Sequence, residues 1–76
     1  MPGERAPGRL PSPRQQQVIK LVAQGLTNGE VAQNIGTTPY VIKNYLSAIY
    51  DKLGLWNRVE LALWYEARKQ ERQDHN

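Results

Sequence analysis

Within the stretch TPYVIKNYLSAIYDKL, from Thr38 to Leu53, four side chains able to hydrogen-bond recur at helical spacing: Tyr40, Lys43, Asn44 and Ser47. On an α-helix those positions share one face. Their chemistry is that of recognition. Lysine donates to guanine O6 or N7, asparagine can make a paired contact with adenine, and a serine hydroxyl serves either base, all along the major-groove edge where base pairs display distinct donor and acceptor patterns. Thr38 and Tyr40, at the start of the stretch, are placed to donate to phosphates, assisted by the positive end of the helix dipole. A solvated polar helix face has the same composition, so these residues acquire meaning from the elements that position them.

Catalysis has no comparable grouping. The single histidine, His75, lies in the polar C-terminal end without a ligand partner, there is no cysteine, and Glu30, Asp51, Glu60 and Glu66 are dispersed on helices or occupy caps. Neither an acid–base pair nor an activated nucleophile can be assembled from them. No enzyme, no metal site and no cofactor is expected. Gly25, Gly29, Gly36 and Gly54 read as helix punctuation, and none forms a phosphate-cradling loop.

The stripe opposite the polar face is Ile42, Leu46, Ile49 and Leu53, at spacings of four, three and four. It must be buried. Thr38 is a good N-cap, Pro39 fits the first helical position, and Gly54 can adopt the left-handed conformation that ends a helix. Upstream, Ser12 and Gln15 form a capping box around Pro13, opening a helix from Pro13 to Gln24 with Val18, Leu21 and Val22 as its apolar stripe. Thr27 and Glu30 form a second box, starting a helix of barely two turns whose apolar side is Val31, Ala32 and Ile35. Such a helix does not form alone in water and must be held by its neighbours. A short helix, a turn containing Gly36 and a longer helix with a polar outer face are the sequence form of a helix-turn-helix. Asn57 with Glu60 then caps a last helix, from Arg58 to about Lys69, in which Val59, Leu61, Ala62, Leu63, Trp64 and Tyr65 are apolar on nearly every side. A helix of that kind needs a second partner.

The 76 residues make one small domain with little apolar surface to spare. Residues 1–11 read as a flexible tail, with Arg5 and Arg9 more readily solvated than bound to phosphate. Residues 12–69 read as the domain and residues 70–76 as a fraying end. The fold class is all-α, a compact four-helix helix-turn-helix domain. Ten basic against seven acidic residues give a net charge of +3, which supports a nucleic-acid reading without founding it. The longest apolar run, Leu61 to Tyr65, is far too short to span a membrane, and no signal-peptide core is present. A cytoplasmic protein without membrane contact is expected, associated with the nucleoid when bound to DNA.

From Ser12 to about Leu63, without a gap, the chain resembles the LuxR-type helix-turn-helix domain, also called the GerE or FixJ/NarL type. The resemblance is carried by SPR at Ser12 to Arg14, VIKLVAQGLTNGEVA at Val18 to Ala32, VIKNYLSAIYDKLG at Val41 to Gly54 and NRVELA at Asn57 to Ala62. It implies a bacterial transcription-factor domain that dimerises through its last helix and inserts its third helix into the major groove of double-stranded DNA. Base contacts are implied for Lys43, Asn44 and Ser47. Contacts to the DNA backbone are implied near Asn28, Thr38, Tyr40, Val41 and Arg58. A homodimer surface is implied at Leu61, Trp64 and Tyr65, matching the unpartnered face of the last helix, and RNA polymerase or a regulatory domain is a further partner class.

Several positions depart from the family pattern. Gln15 stands where glutamate is usual, Gly29 where lysine is common, Val41 for threonine, Tyr45 for histidine, and Pro39 with Tyr40 for an acidic and basic pair. Lys43 and Lys52 are then the only cations of the third helix, with Asp51 toward its far end, so non-specific affinity should be modest. Trp56, where a polar residue is usual, is expected to cover the end of the core. The alternative is that it joins Trp64 in a docking patch. Two other classes share the helix-turn-helix form: an interaction module without DNA binding, and a domain resembling the promoter-reading end of a sigma factor.

Overall fold

Side-chain caps decide where this chain becomes helical. Ser12 Oγ accepts from the Gln15 N–H at 3.1 Å while Gln15 Oε1 accepts from the Ser12 N–H at 2.9 Å. Thr27 and Glu30 exchange the same pair of bonds at 3.2 and 2.8 Å, and Thr38 Oγ1 accepts from the Val41 N–H at 3.3 Å. The cap oxygens satisfy first-turn donors that the helix itself cannot, the returning Gln15 and Glu30 oxygens satisfy the cap N–H groups, and each cap is worth about 1 kcal/mol. In this computed structural model, which describes the backbone of residues 10–74 and the side chains of residues 10–71, four helices follow. They are α1 (Pro13–Ala23), α2 (Asn28–Ile35), α3 (Pro39–Leu53) and α4 (Arg58–Asp74), with no strand among the described residues.

All four helices feed one core. Val18, Ile19 and Val22 come from α1, Val31 and Ala32 from α2, Ile42, Leu46 and Ile49 from α3, and Leu61 from α4. Helix α2 packs along α3 and α1 along α4, while α1 also touches both members of the α2–α3 pair. That two-sided role explains a difference from the expected stripe. Ile19 is fully buried whereas Leu21 is only half-buried, because the buried arc of α1 must serve neighbours on two sides. Small Ala32 lets α3 approach α2 closely, which holds the eight-residue α2 in place.

The turn of the helix-turn-helix depends on Gly36. Its φ of +93° lies in the left-handed region, and from there its N–H and that of Thr37 both donate to the Ala32 carbonyl, at 2.8 and 2.9 Å. A side chain at this position would be strained by its own backbone.

Three boundaries differ from expectation. Helix α1 ends at Ala23, with Gln24 as its cap and Gly25 left-handed beyond it. Residues before Ser12 already make domain contacts: Pro11 is buried, its carbonyl accepts from Gln16 Nε2 at 3.0 Å, and the Leu10 carbonyl accepts from Lys52 Nζ at 3.4 Å. Helix α4 does not stop near Lys69 but runs to Asp74. The added residues Gln70, Glu71, Arg72 and Gln73 are good helix formers, and polarity alone does not end a helix. The expectations for the tail arginines Arg5 and Arg9, and for His75, fall outside the described residues. No helix among the described residues is long and apolar enough to cross a membrane.

Candidate nucleic-acid interface

Helix α3 is anchored by one side. Ile42, Leu46 and Ile49 are buried against α1 and α2, and with them fixed the opposite side can only face solvent. Lys43, Asn44 and Ser47 are all exposed there, and among the described residues none has a hydrogen-bond partner within the chain. Three groups of distinct donor and acceptor character are thus held on a rigid element with nothing to satisfy them but solvent or a ligand.

The start of α3 adds donors. Pro39 has no N–H, the Val41 N–H is held by Thr38 Oγ1, and the Ile42 N–H reaches the Thr38 carbonyl at 3.1 Å. The Tyr40 N–H is therefore the first-turn amide left pointing outward. The Tyr40 side chain is 71% exposed beside it. Thr38 accepts through its hydroxyl oxygen and keeps its own proton to donate. No acidic residue sits in this first turn, so the positive end of the dipole is not offset by the chain itself. At the other end of the same face, Asp51 is exposed one turn beyond Ser47 and brings a negative charge.

Val41 fits the expected set poorly. Its amide is engaged in the cap and its half-buried side chain is aliphatic, so it offers contact surface but no free donor. Arg58 also differs from a simple phosphate ligand. Its Nη1 donates to Asn28 Oδ1 and its Nη2 to the Leu26 carbonyl, both at 2.6 Å, locking the start of α4 to the start of α2. With Oδ1 turned toward Arg58, the amide NH₂ of Asn28 is directed away from it and remains a donor. Burial raises the pKa of the Tyr50 phenol above its ordinary value, and the charge of Arg58 opposes that shift. Lys52, the other cation of α3, donates to Gln15 Oε1 at 3.1 Å as well as to the Leu10 carbonyl, and so fastens the end of α3 to the start of α1. The sequence shows Gln15 as a cap but cannot show that a lysine from another helix shares its oxygen.

A model of the bacterial regulatory proteins of the luxR family matches residues 11–65. The chain belongs to the LuxR family. Among curated relatives, it is 45% identical over 56 residues to the two-component response regulator PprB of Pseudomonas aeruginosa, a match covering 74% of this chain and 20% of that protein. It is 36% identical over 53 residues to the nitrate/nitrite response regulator NarL of Escherichia coli, covering 70% of this chain and 24% of that protein. A response regulator of Synechocystis is 40% identical over 50 residues, covering 66% and 22%. The chain spans less than a quarter of the length of these relatives.

The LuxR resemblance implies a dimer surface at Leu61, Trp64 and Tyr65, of which the structure corrects Leu61. Leu61 is 0% exposed and is the α4 contribution to the core. Trp64 and Tyr65 are half-buried and pack against that core from its edge. Residues two positions from a buried one point about 160° away around a helix. Val59 and Leu63 accordingly face outward, 68% and 64% exposed. Val59 and Leu63 are thus the exposed apolar residues of this face of α4.

Trp56 does not cover the end of the core. It is 86% exposed, and its fixed contact is through the backbone, whose N–H donates to Glu60 Oε1 at 2.6 Å. This also alters the last cap: Asn57 Oδ1 accepts from the Glu60 N–H at 2.9 Å as expected, but the Glu60 carboxylate reaches back one residue further, past Asn57.

Proposed function

We propose that this domain is the DNA-binding part of a transcription regulator, with α3 lying in the major groove and Lys43, Asn44 and Ser47 meeting base edges. The observation that carries the reading is the two-sidedness of α3: three buried residues hold it while three exposed polar residues stay without partners. Thr38, Tyr40 and the Asn28 amide are the phosphate donors. Val41 contributes contact surface. Arg58 serves chiefly by holding Asn28 in position, and its remaining N–H groups are directed by the same anchorage. RNA polymerase, if engaged, would be met by surfaces that α3 leaves free.

Two copies, paired through the outer face of α4, would present two reading helices to two-fold-related half-sites. Val59 and Leu63 carry that contact, with Trp64 and Tyr65 at its margin. Val59→Glu and Leu63→Glu should each leave helix content unchanged and abolish the dimer in sedimentation. A sedimentation profile indifferent to both would rule this face out.

The test of DNA binding is fluorescence anisotropy of a labelled duplex at several salt concentrations. Binding should weaken steeply with salt, because affinity for phosphates rests on counterion release. A folded protein without binding at low salt would refute the reading. The exposure of Trp56 favours one further role, contact with a regulatory domain, and predicts that Trp56→Ala leaves duplex affinity of the isolated domain unchanged.

A further inference from the structure

Helices α1 and α4 enclose a groove of about 660 Å³ whose lining includes no residue of α2 or α3. Its apolar surface is the exposed Leu10 with the half-buried Trp64 and Tyr65, bordered by Pro13, while Ile19 and Pro11 are themselves buried. Its charged rim is Lys20 from α1 with Arg68 and Lys69 from α4, against a single anion, Glu71. The cations are held over the aromatic surface: the Arg68 guanidinium carbon is 5.0 Å from the centre of the Trp64 ring and the Lys69 ammonium 5.7 Å from that of Tyr65. A cation stacked on a ring keeps most of its charge available to an incoming anion. Lys69 also meets Glu66, but at 4.0 Å between half-exposed side chains that pair is weak.

The groove follows α1 from Pro13 to Lys20 and α4 from Trp64 to Glu71, two turns of each helix. This is an elongated site rather than a closed pocket for a compact ligand. An aromatic surface with an excess of positive charge along its rim complements a segment that alternates apolar and acidic side chains. A nucleic-acid backbone would satisfy the rim but leave Leu10 and the exposed parts of Trp64 and Tyr65 uncovered. Because α2 and α3 take no part, engagement of α3 does not itself cover the groove.

We propose that the α1–α4 groove docks an acidic, apolar-bearing peptide segment of a partner protein, and does so independently of the reading face. The test uses isotope-labelled full chain titrated with a short synthetic peptide alternating Asp or Glu with Leu and Phe, followed by amide and indole NMR shifts. Shifts should centre on Gln16, Gln17, Lys20, Trp64, Arg68 and Lys69 and spare Lys43, Asn44 and Ser47. Lys20→Glu and Arg68→Gln, both exposed positions, should each weaken the peptide by about tenfold with circular dichroism unchanged. A peptide with Asn and Gln in place of the acids should bind at least as poorly. A saturating duplex should not displace the acidic peptide. Shifts scattered over the surface or centred on α3, indifference to both charge variants, or displacement by duplex would overturn the proposal. So would movement of Gln16, Gln17 and Lys20 when the protein alone is diluted, since a second copy would then occupy the groove itself and not only the outer face of α4.

Discussion

Lys43 and Lys52 lie on the same helix and have opposite fates. Lys52 is tied to Gln15 and the Leu10 carbonyl, whereas Lys43 stands exposed with no partner among the described residues. The last helix repeats the contrast in apolar terms: Leu61 is enclosed in the core and Leu63, on the same helix, faces solvent. In both pairs residue type is the same and placement decides the role. A cation or a leucine is available to a partner only if the fold has not already engaged it.

The largest effect that could break this comparison belongs to the leucines. Leu61→Ala should cost about 2–5 kcal/mol of stability through lost burial and a residual cavity. Leu63→Ala should change the stability of the isolated domain by no more than about 0.5 kcal/mol. Chemical denaturation of the two variants decides it, and equal costs would mean that the two positions are not distinguished as described. The polar counterpart sets binding against folding. Arg58→Ala, which removes two charged hydrogen bonds at once, should lose about 1.5–3 kcal/mol of stability. On a selected DNA site, Lys43→Ala and Asn44→Ala should each lose about 1–3 kcal/mol of binding with the melting temperature unchanged.

Smaller effects sharpen the Lys52 side. Gln15→Glu would convert the hydrogen bond to Lys52 into an ion pair and add a negative charge in the first turn of α1, where the helix dipole favours it. A gain of about 0.3–1 kcal/mol is expected in denaturation, falling with added salt. Gly29→Ala should stabilise by about 0.5–1 kcal/mol, because a Cβ there meets only Thr27 Oγ1 at 3.9 Å. The smallest effect concerns Tyr50. Since the folded state raises its pKa above 10.0, the protonated phenol's contribution is complete below that pH and is lost as pH rises through the folded value. Tyr50→Phe should therefore flatten the alkaline limb of a stability profile above about pH 10.

The sequence carried much of this fold because its signals were local. The Ser12–Gln15 and Thr27–Glu30 boxes, Thr38 with Pro39, and glycines able to turn left-handed marked helix ends from neighbours within a few residues. The polar face of α3 followed from periodicity in the same way. What sequence did not show depended on contacts across the chain. Lys52 reaching Gln15 and Arg58 reaching Asn28 join distant segments, and no spacing rule announces them. On α4, apolar residues at nearly every angle hide which angle is inward, and no spacing rule separates the enclosed Leu61 from the exposed Val59 and Leu63. Trp56 reads as cover for the core, but Leu55 and Leu53 already pack against that core and Trp56 stays exposed.

The role proposed for the unengaged face of α3 is contact with DNA. Its most direct test is the NMR footprint of a random-sequence duplex added at low salt to the isotope-labelled protein. Shifts are expected at Thr38, Tyr40, Lys43, Asn44, Ser47 and Asn28, with Lys52, Val59 and Leu63 unmoved by contact with the duplex. Perturbations centred on α1 and α4, with α3 silent, would contradict it.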